Sequence, residues 1–314
     1  MTDLPPVSTD PAATRPELAA LRAAVRSHDW PAVSAFLGGL DDPDDHSFVV
    51  RFVGEIGGSE DFLRTVVGQA PGATLPMTLL AARLIELGWE ARSGYGAEHV
   101  SQVQFRAFHE YLRQAERLLI EVTAREPADT SAWTMRLLTT RGLELGQSEA
   151  RRRYDHAARH APHSFGTQAQ ILQQLCPKWG GTWEDAHAFA RECALAAPEG
   201  SLSGALVATW HLERWLSMDR AEANRYIVQA HVRAEVAEAA ARSVDHPAFR
   251  RAGYRAAYAL NTFAMATALH GDQTAAARYF HMIGAEATAL PWSYHGNDNV
   301  TSFLWFRKNA RAKG

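Results

Sequence analysis

A helix-ending proline recurs every 35 or 36 residues in this chain, and no other feature constrains the fold as strongly. The three prolines are Pro127, Pro162 and Pro198. An alanine stands twelve residues before each proline and an apolar residue eight before; the pairs are Ala115 and Leu119, Ala150 and Tyr154, and Ala186 and Ala190. The small residue lets two helices approach, the apolar residue fills the gap to the next pair, and proline ends the second helix. The pattern therefore predicts stacked helix hairpins.

Hydrophobic periodicity predicts helices along almost the whole chain and no strand. Apolar residues recur at the 3.6-residue spacing of an amphipathic helix rather than in strict alternation. Helices are expected near residues 16–27, 47–56, 61–67, 75–89, 101–126, 131–144, 148–161, 164–175, 182–197, 203–217, 220–243, 247–270, 273–288 and 300–310. The 56 alanines among the 314 residues favour the same result, because alanine has the highest helix propensity. The sequence thus predicts an all-α fold.

The repeat resembles that of the tetratricopeptide repeat (TPR) family over residues 99–290. A fourth copy of the spacing, without the proline, begins at Ala276. Trp133 and Leu137 match part of the family's first-helix pattern, although its Gly and Tyr are missing. The resemblance implies a TPR-like α-solenoid of stacked antiparallel helix hairpins.

Four segments follow from this division of the chain. Residues 1–15 are rich in Pro, Thr and Asp and are expected to form a disordered tail. An N-terminal helical region is expected over residues 16–98, and the TPR-like repeats over residues 99–290. Residues 291–314 are expected to form a capping segment, whose aromatic loop can cover one end of the stack or line a pocket.

The most distinctive local motif is PKWGGTW at residues 177–183. Its two glycines permit a positive φ or a close backbone approach, and Thr182 is a suitable N-cap for the helix that follows. With Lys178 near that helix N-terminus the loop can bind an anion; alternatively, Trp179 and Trp183 pack in a structural turn. The motif, with the DAHAFAR segment after it, also resembles a family of bacterial proteins with TPR-like folds, frequent in actinobacteria and of unknown function.

A second candidate site lies on the first helix of the third repeat unit. His211 and Trp215 are four residues apart and share a helix face, with Arg214 beside them. First helices line the concave groove of a TPR-like stack, so the three side chains are expected to be partly exposed, close together and able to bind a partner. In the alternative interpretation, Trp210 and Trp215 belong to the core between helices.

Two further patterns combine charge with histidine. Glu184 and His187 have the Glu-x-x-His spacing of half a di-iron site, but no second copy exists in the sequence, which favours an ordinary surface helix. The run Arg151–Arg153 precedes His156 and His160, which are spaced as a metal-binding pair. This stretch is interpreted as a solvated face, with contact to phosphate or an acidic partner as the alternative.

The acidic cluster Asp41–Asp45 resembles the Asp-rich motif with which class I terpene synthases bind magnesium and diphosphate. Asn297, Asp298 and Thr301 resemble the start of the second metal motif of that family, although Trp305 stands where it has Glu. The alternative is that the cluster caps the helix expected from Ser47, since carboxylates are favourable at a helix N-terminus.

Composition and charge restrict the expected binding partners and the expected cellular location of the chain. A net charge of −3 offers no positive field for nucleic acid or an anionic membrane. The start of the chain has no apolar signal segment, and Cys176 and Cys193 are expected to be reduced core thiols, so a cytoplasmic location is expected. The sequence contains no Gly-x-Ser-x-Gly elbow, Cys-x-x-Cys pair, Walker loop or dinucleotide fingerprint.

Two functional hypotheses result. In the first, the chain is a helical-repeat scaffold that binds a protein or peptide partner in a concave groove and uses no cofactor. In the second, it is an enzyme of small-molecule metabolism with an aromatic, His-containing pocket inside the stack, and a divergent terpene-type cyclase is the extreme form. An open groove favours the scaffold and a closed pocket favours the enzyme.

Overall fold

The computed structural model describes residues 6–93, 99–296 and 298–313. Within these ranges the chain forms seventeen α-helices and short 3-10 turns, and its only β-type pairing is an isolated bridge between Ser8 and Glu286. The helices are α1 (Pro16–Arg26), α2 (Trp30–Gly38), α3 (Pro43–Gly54), α4 (Glu60–Gln69), α5 (Thr74–Arg92), α6 (Gln102–Arg125), α7 (Thr130–Gly142), α8 (Gln147–Ala158), α9 (Phe165–Leu175), α10 (Trp183–Ala196), α11 (Ala205–Leu216), α12 (Arg220–Ile227), α13 (Ala230–Arg242), α14 (Ala256–His270), α15 (Gln273–Ile283), α16 (Ala289–Trp292) and α17 (Asn299–Lys313). The predicted all-α fold is confirmed for the described residues.

Helix boundaries differ from the sequence prediction in several places. The hydrophobic pattern does not predict α2, which starts where the Asp29 carboxylate accepts a hydrogen bond from the Ala32 N–H. The single helix predicted over residues 220–243 is two helices, because the backbone leaves helical geometry at Val228 and Gln229. The helix predicted from residue 247 begins at Ala256, after a series of turns.

The chain divides into two compact units. The N-terminal unit comprises residues 19–181, and the C-terminal unit comprises residues 182–313 together with residues 6–18. This division differs from the boundary predicted between residues 98 and 99. Helices α5 and α6, on either side of that point, pack along each other and belong to the same unit. Residues 94–98 lie outside the described residues.

Helix α7 lies at the centre of the N-terminal unit. Every one of its residues is buried, and it packs against α3, α6, α8 and α9. The spacing residues on the flanking helices are buried as well: Ala115 and Leu119 on α6, and Ala150 and Tyr154 on α8. The residues that mark the repeat spacing in this unit therefore belong to its core.

A buried ion-pair network joins three helices of this unit. Glu116 Oε1 on α6 lies 2.9 Å from Arg136 NH2 on α7 and 2.8 Å from Arg153 NH2 on α8. The Thr139 hydroxyl donates a further hydrogen bond to the same carboxylate. All the charged side chains of the network are buried, so one carboxylate serves two guanidinium groups away from water.

The run of three arginines is therefore only partly a solvated face. Arg151 and Arg152 are exposed and pair with acidic residues of their own helix. Arg153 is 2% exposed, because it falls on the buried stripe of α8 between Ala150 and Ala157. Arg153 pairs with two carboxylates of this chain, Glu116 and Glu149.

The acidic cluster at the start of α3 caps two helices. Asp42 accepts hydrogen bonds from the backbone N–H groups of the first turn of α3, which begins at Pro43 rather than Ser47. Asp44 caps α9 instead: its carboxylate accepts the N–H of Phe165 at 2.7 Å and of Gly166 at 2.8 Å. The predicted capping role is thus found. Of the carboxylates in the Asp-Asp-x-x-Asp pattern, Asp42 is engaged in a cap, whereas Asp44 stands at a variable position of that pattern.

The second terpene-like motif lies at the start of α17. Asn297 is outside the described residues. The Asp298 carboxylate accepts a hydrogen bond from the Thr301 N–H at 2.9 Å, which is again a helix cap. Neither acidic motif therefore presents an uncommitted set of ligands in the described residues.

In the C-terminal unit, α14 is buried along most of its length and packs against α11, α13, α15 and α16. Ala186 on α10 and Ala276 on α15 are fully buried, like the spacing residues of the N-terminal unit. Trp292, in the segment predicted as a cap, is also fully buried. Its indole Nε1 donates to Asn261 Oδ1 on α14 at 2.7 Å, which fixes this segment against the helices.

Residues 6–15 differ from the disordered tail predicted for residues 1–15. The Ser8 N–H donates to the Ala285 carbonyl at 3.1 Å, and Arg15 Nε lies 2.6 Å from Glu286 Oε1. The guanidinium of Arg15 also donates to the carbonyls of Ala252 and Gly253. These bonds hold the segment on the C-terminal unit; residues 1–5 lie outside the described residues.

We expect Ala150→Leu and Ala186→Leu each to lower the free energy of unfolding by about 1–3 kcal/mol, because both positions are fully buried and a larger side chain overpacks them. Ala188→Leu, at an exposed position of α10, is the matched control and is expected to change stability little. Urea unfolding measures all three variants. Equal stability of the two buried variants and the parent would mean that these alanines do not set the helix spacing.

Candidate functional site

The six residues predicted to bind a ligand or partner fall in both units. Lys178 and Trp179 belong to the N-terminal unit, while Trp183, His211, Arg214 and Trp215 belong to the C-terminal unit. Within the C-terminal unit the last four residues divide between two places, a cavity and a cluster of polar side chains.

The PKWGG loop has the hydrogen bonds of a structural turn. Gly180 adopts φ +84°, and a Cβ on Gly181 would lie 2.0 Å from the Leu175 carbonyl oxygen, so the two glycines provide the positive φ and the close approach expected of them. The N–H groups of Trp179, Gly180 and Gly181 all donate to backbone carbonyls. None of the three is left for an anion. Lys178 is exposed, and the Trp179 ring lies under the Arg141 guanidinium.

A cavity of about 710 Å³ lies in the C-terminal unit, lined by residues of α11, α12, α14, α15 and α17. Five residues of its wall carry aromatic rings: Trp215, Tyr294, His295, Trp305 and Phe306. His295 stacks on Trp305 with ring centroids 5.2 Å apart. Trp305 is 53% exposed, so the cavity reaches the surface. Its volume is in the range of small-molecule and side-chain binding pockets.

Two polar atoms of residues that line the cavity have no hydrogen-bond partner in the described part of the chain. They are the indole Nε1 of Trp215, a donor, and Oε1 of Gln273, an acceptor, and both atoms are buried. A buried polar group without a partner costs about 1–3 kcal/mol. Both atoms are shielded from solvent, so water or a bound molecule reaches them only when neighbouring side chains move.

The predicted grouping of His211, Arg214 and Trp215 is not what the structure shows. Trp215 lines the cavity, whereas His211 is 1% exposed and not partly accessible. Arg214 is half-buried with its guanidinium 5.2 Å from the Trp183 ring. His211 is buried because α12 and α13 cover that side of α11 with Tyr226 and Glu235.

His211 belongs to a compact cluster formed by α10, α11 and α13. Glu235 Oε2 lies 3.0 Å from His187 Nε2 and 2.9 Å from His211 Nε2. The other oxygen of Glu235, Oε1, accepts a hydrogen bond from Arg191 NH1 at 2.6 Å. His211 Nδ1 lies 2.6 Å from the Tyr226 hydroxyl. The Glu235 carboxylate thus contacts two imidazole rings and one guanidinium group.

Aromatic contacts fix the half-exposed ring of this cluster. His187 stacks on Trp210 with ring centroids 4.1 Å apart and an interplanar angle of 23°. The indole Nε1 of Trp210 in turn donates to the Trp183 carbonyl at 3.1 Å. Trp210 is therefore a packing residue, as one interpretation of the sequence proposed, and it holds His187 towards Glu235.

Burial controls the protonation of the cluster. It lowers the pKa of His211 to about 4 in spite of the attraction of Glu235, so this imidazole is neutral at pH 7. Burial alone would raise the pKa of Glu235, but His187, Arg191 and His211 together hold it below its usual value. Neutral His211 donates a hydrogen bond from its Nε2–H to Glu235. Its Nδ1 therefore accepts a hydrogen bond from the Tyr226 hydroxyl.

Sequence reasoning found only parts of this cluster. The sequence pattern pairs His187 with Glu184, which is exposed and does not take part, and predicts that His211 lines a groove. Glu235 follows His187 by 48 residues and has no motif around it. Short-range spacing carries no signal for such a site, because its ligands come from three different helices.

Comparison of the sequence with models of known protein families, and with curated proteins, gives no match. No helix among the described residues combines the length and the apolar character needed to cross a lipid bilayer. The TPR-like arrangement and the bacterial relatives that the resemblance implies stay predictions.

Proposed function

We propose that this chain is a TPR-like helical-repeat protein that binds a peptide segment of a partner at the aromatic cavity of its C-terminal unit. The observation that carries the proposal is the cavity of about 710 Å³, which opens to the surface at Trp305 and has the volume of a ligand-binding pocket.

The apolar part of the cavity supports the same proposal. Rings of Trp215, Trp305 and Phe306 offer flat apolar surface for one large side chain of the peptide. Interface energy concentrates on such buried aromatic contacts. The regularly spaced alanines are buried, which supports a stacked arrangement of helix pairs. In this proposal the stack is the framework that presents the cavity.

Selection of a random peptide library on the immobilised chain tests this proposal. We expect enriched peptides that share one aromatic or large aliphatic residue. Trp215→Ala is expected to weaken the binding of a selected peptide by about 2 kcal/mol, or roughly 30-fold, with the fold intact. Leu195→Ala, which removes an exposed apolar side chain of α10, is the control and is expected to bind like the parent.

Arg214→Ala distinguishes the cavity from the wider groove predicted from the sequence. Arg214 lies over Trp183 and does not line the cavity, so we expect normal peptide binding. Equal losses for Arg214→Ala and Trp215→Ala would favour the groove. A loss of about 3–5 kcal/mol in the stability of Trp215→Ala, without a specific effect on binding, would instead make Trp215 a core residue. The absence of any enriched peptide would contradict peptide binding.

The enzyme of small-molecule metabolism is a second candidate function, favoured by one observation. His187, His211 and Glu235 form a group of ionisable side chains held at short distances and only partly open to solvent. Such groups are typical of catalytic sites as well as of structural networks.

A further inference from the structure

We propose that His187, His211 and Glu235 form a binding site for one divalent transition-metal ion. The site is separate from the cavity, because none of its residues lines the cavity wall. Each residue supplies one ligand atom, and the three atoms lie within 4.8 Å of one another. The proposal goes beyond peptide binding and does not depend on it.

The distances between the ligand atoms suit a single ion. Ligands bonded to one ion at about 2.1 Å are about 3.0–3.4 Å apart at octahedral or tetrahedral angles. Glu235 Oε2 lies 3.0 Å from His187 Nε2 and 2.9 Å from His211 Nε2. An ion can therefore replace the two hydrogen bonds to Glu235 with only small movements of these side chains.

Each ligand has a second contact that holds it in place. Arg191 holds the Oε1 atom of Glu235, which leaves Oε2 for the ion. Stacking on Trp210 holds the His187 ring. The Tyr226 hydroxyl, which is hydrogen-bonded to Nδ1, holds the His211 ring. When a metal binds Nε2, the imidazole proton moves to Nδ1 and Tyr226 becomes its acceptor, which is the usual arrangement around a metal-bound histidine.

The ligand types define the class of ion. Two imidazoles and one carboxylate suit Zn²⁺, Fe²⁺, Co²⁺ and related ions, whereas Mg²⁺ and Ca²⁺ prefer sites made of oxygen alone. Three protein ligands leave at least one coordination position for water or another molecule, as in catalytic rather than structural metal sites. His187 and Glu235 are half-buried, so an ion can reach the site from solvent.

Cobalt titration tests the site directly. The untagged full-length chain is dialysed against a chelator, titrated with CoCl₂ and followed by visible absorption, and ZnCl₂ is then added to displace the cobalt. We expect a saturable absorption band with one ion per chain that zinc abolishes. The absence of such a band, or of saturable binding of one ion by calorimetry, would overturn the proposal.

Three variants locate the ion. His187→Ala and Glu235→Gln are each expected to weaken cobalt binding by about 100-fold or more, and Tyr226→Phe by about 10-fold or more, since it acts through His211. His231→Ala removes an exposed histidine of α13, the helix that carries Glu235, and is expected to bind like the parent. Because His187 is half-exposed, its variant is expected to keep the fold, which circular dichroism of the metal-free chain confirms. Equal binding by His187→Ala and the parent would place the ion elsewhere and refute the site.

Discussion

Replacing Glu116 by alanine is expected to lower the free energy of unfolding by about 3–5 kcal/mol. The carboxylate of Glu116 is the partner shared by the Arg136 and Arg153 guanidinium groups, and both arginines are buried. Its removal leaves Arg136 without a carboxylate partner among the described residues, and Arg153 with only the half-buried Glu149, in the interior of the N-terminal unit. Breaking one side of a buried ion pair is far more costly than losing an exposed pair, because the remaining charge has no water around it.

Glu121→Ala is the matched control for this prediction. Glu121 lies on the same helix, is 47% exposed and pairs with Arg125 at 2.7 Å. Its loss is expected to cost less than about 1 kcal/mol, as for other exposed pairs. Urea unfolding followed by circular dichroism gives both values. Similar small losses for the two variants would show that the two arginines find other partners and that the network does not stabilise the unit.

The stability of the chain is also expected to fall by roughly 3 kcal/mol through His270 as the pH drops from about 6.5 to about 4. Burial, with the nearby charge of Arg233, lowers the pKa of His270 to about 4 against the opposing influence of Asp272. Because the folded pKa lies below the unfolded value, the unfolded chain binds the proton more tightly in this range. Acid therefore favours unfolding, and the stability is fully present only above about pH 6.5.

His270→Gln isolates this contribution. The variant is expected to show a shallower dependence of the free energy of unfolding on pH than the parent between these limits. His281→Gln, at an exposed position of α15, is expected to keep the parental slope. His211, whose pKa is also lowered to about 4, adds to the slope in all three proteins. Identical slopes for the His270 variant and the parent would contradict the assignment to His270.

The fold class could be predicted from the sequence because it depends on local patterns. Each helix that precedes a repeat proline ends before it: α6 at Arg125, α8 at Ala158 and α10 at Ala196. The spacing alanines are fully buried, which agrees with the prediction that they lie on the packed side of their helices. The arrangement of the pairs as a TPR-like solenoid stays a prediction, because spacing does not determine how the pairs stack.

Long-range contacts could not be predicted in the same way. Arg153 stands in a run of three arginines, and only the packing of α8 distinguishes it from its two exposed neighbours. Nothing in the sequence distinguishes Glu235 from the other charged residues of its alanine-rich helix. Its role becomes visible only in the packing of α13 against α11. His211 and Trp215 share a helix face in the sequence, yet one is enclosed by neighbouring helices and the other borders a cavity.

The pairing of Arg15 with Glu286 sets the order in which the chain can complete its two units during synthesis. The two residues are 271 positions apart. At about 5–20 residues per second, a ribosome makes Glu286 roughly 15–50 s after Arg15. The N-terminal unit is contiguous from residue 19 to residue 181, so all of its residues have been made well before that moment. Arg15 is therefore made before the N-terminal unit but reaches this contact only after that unit has been made.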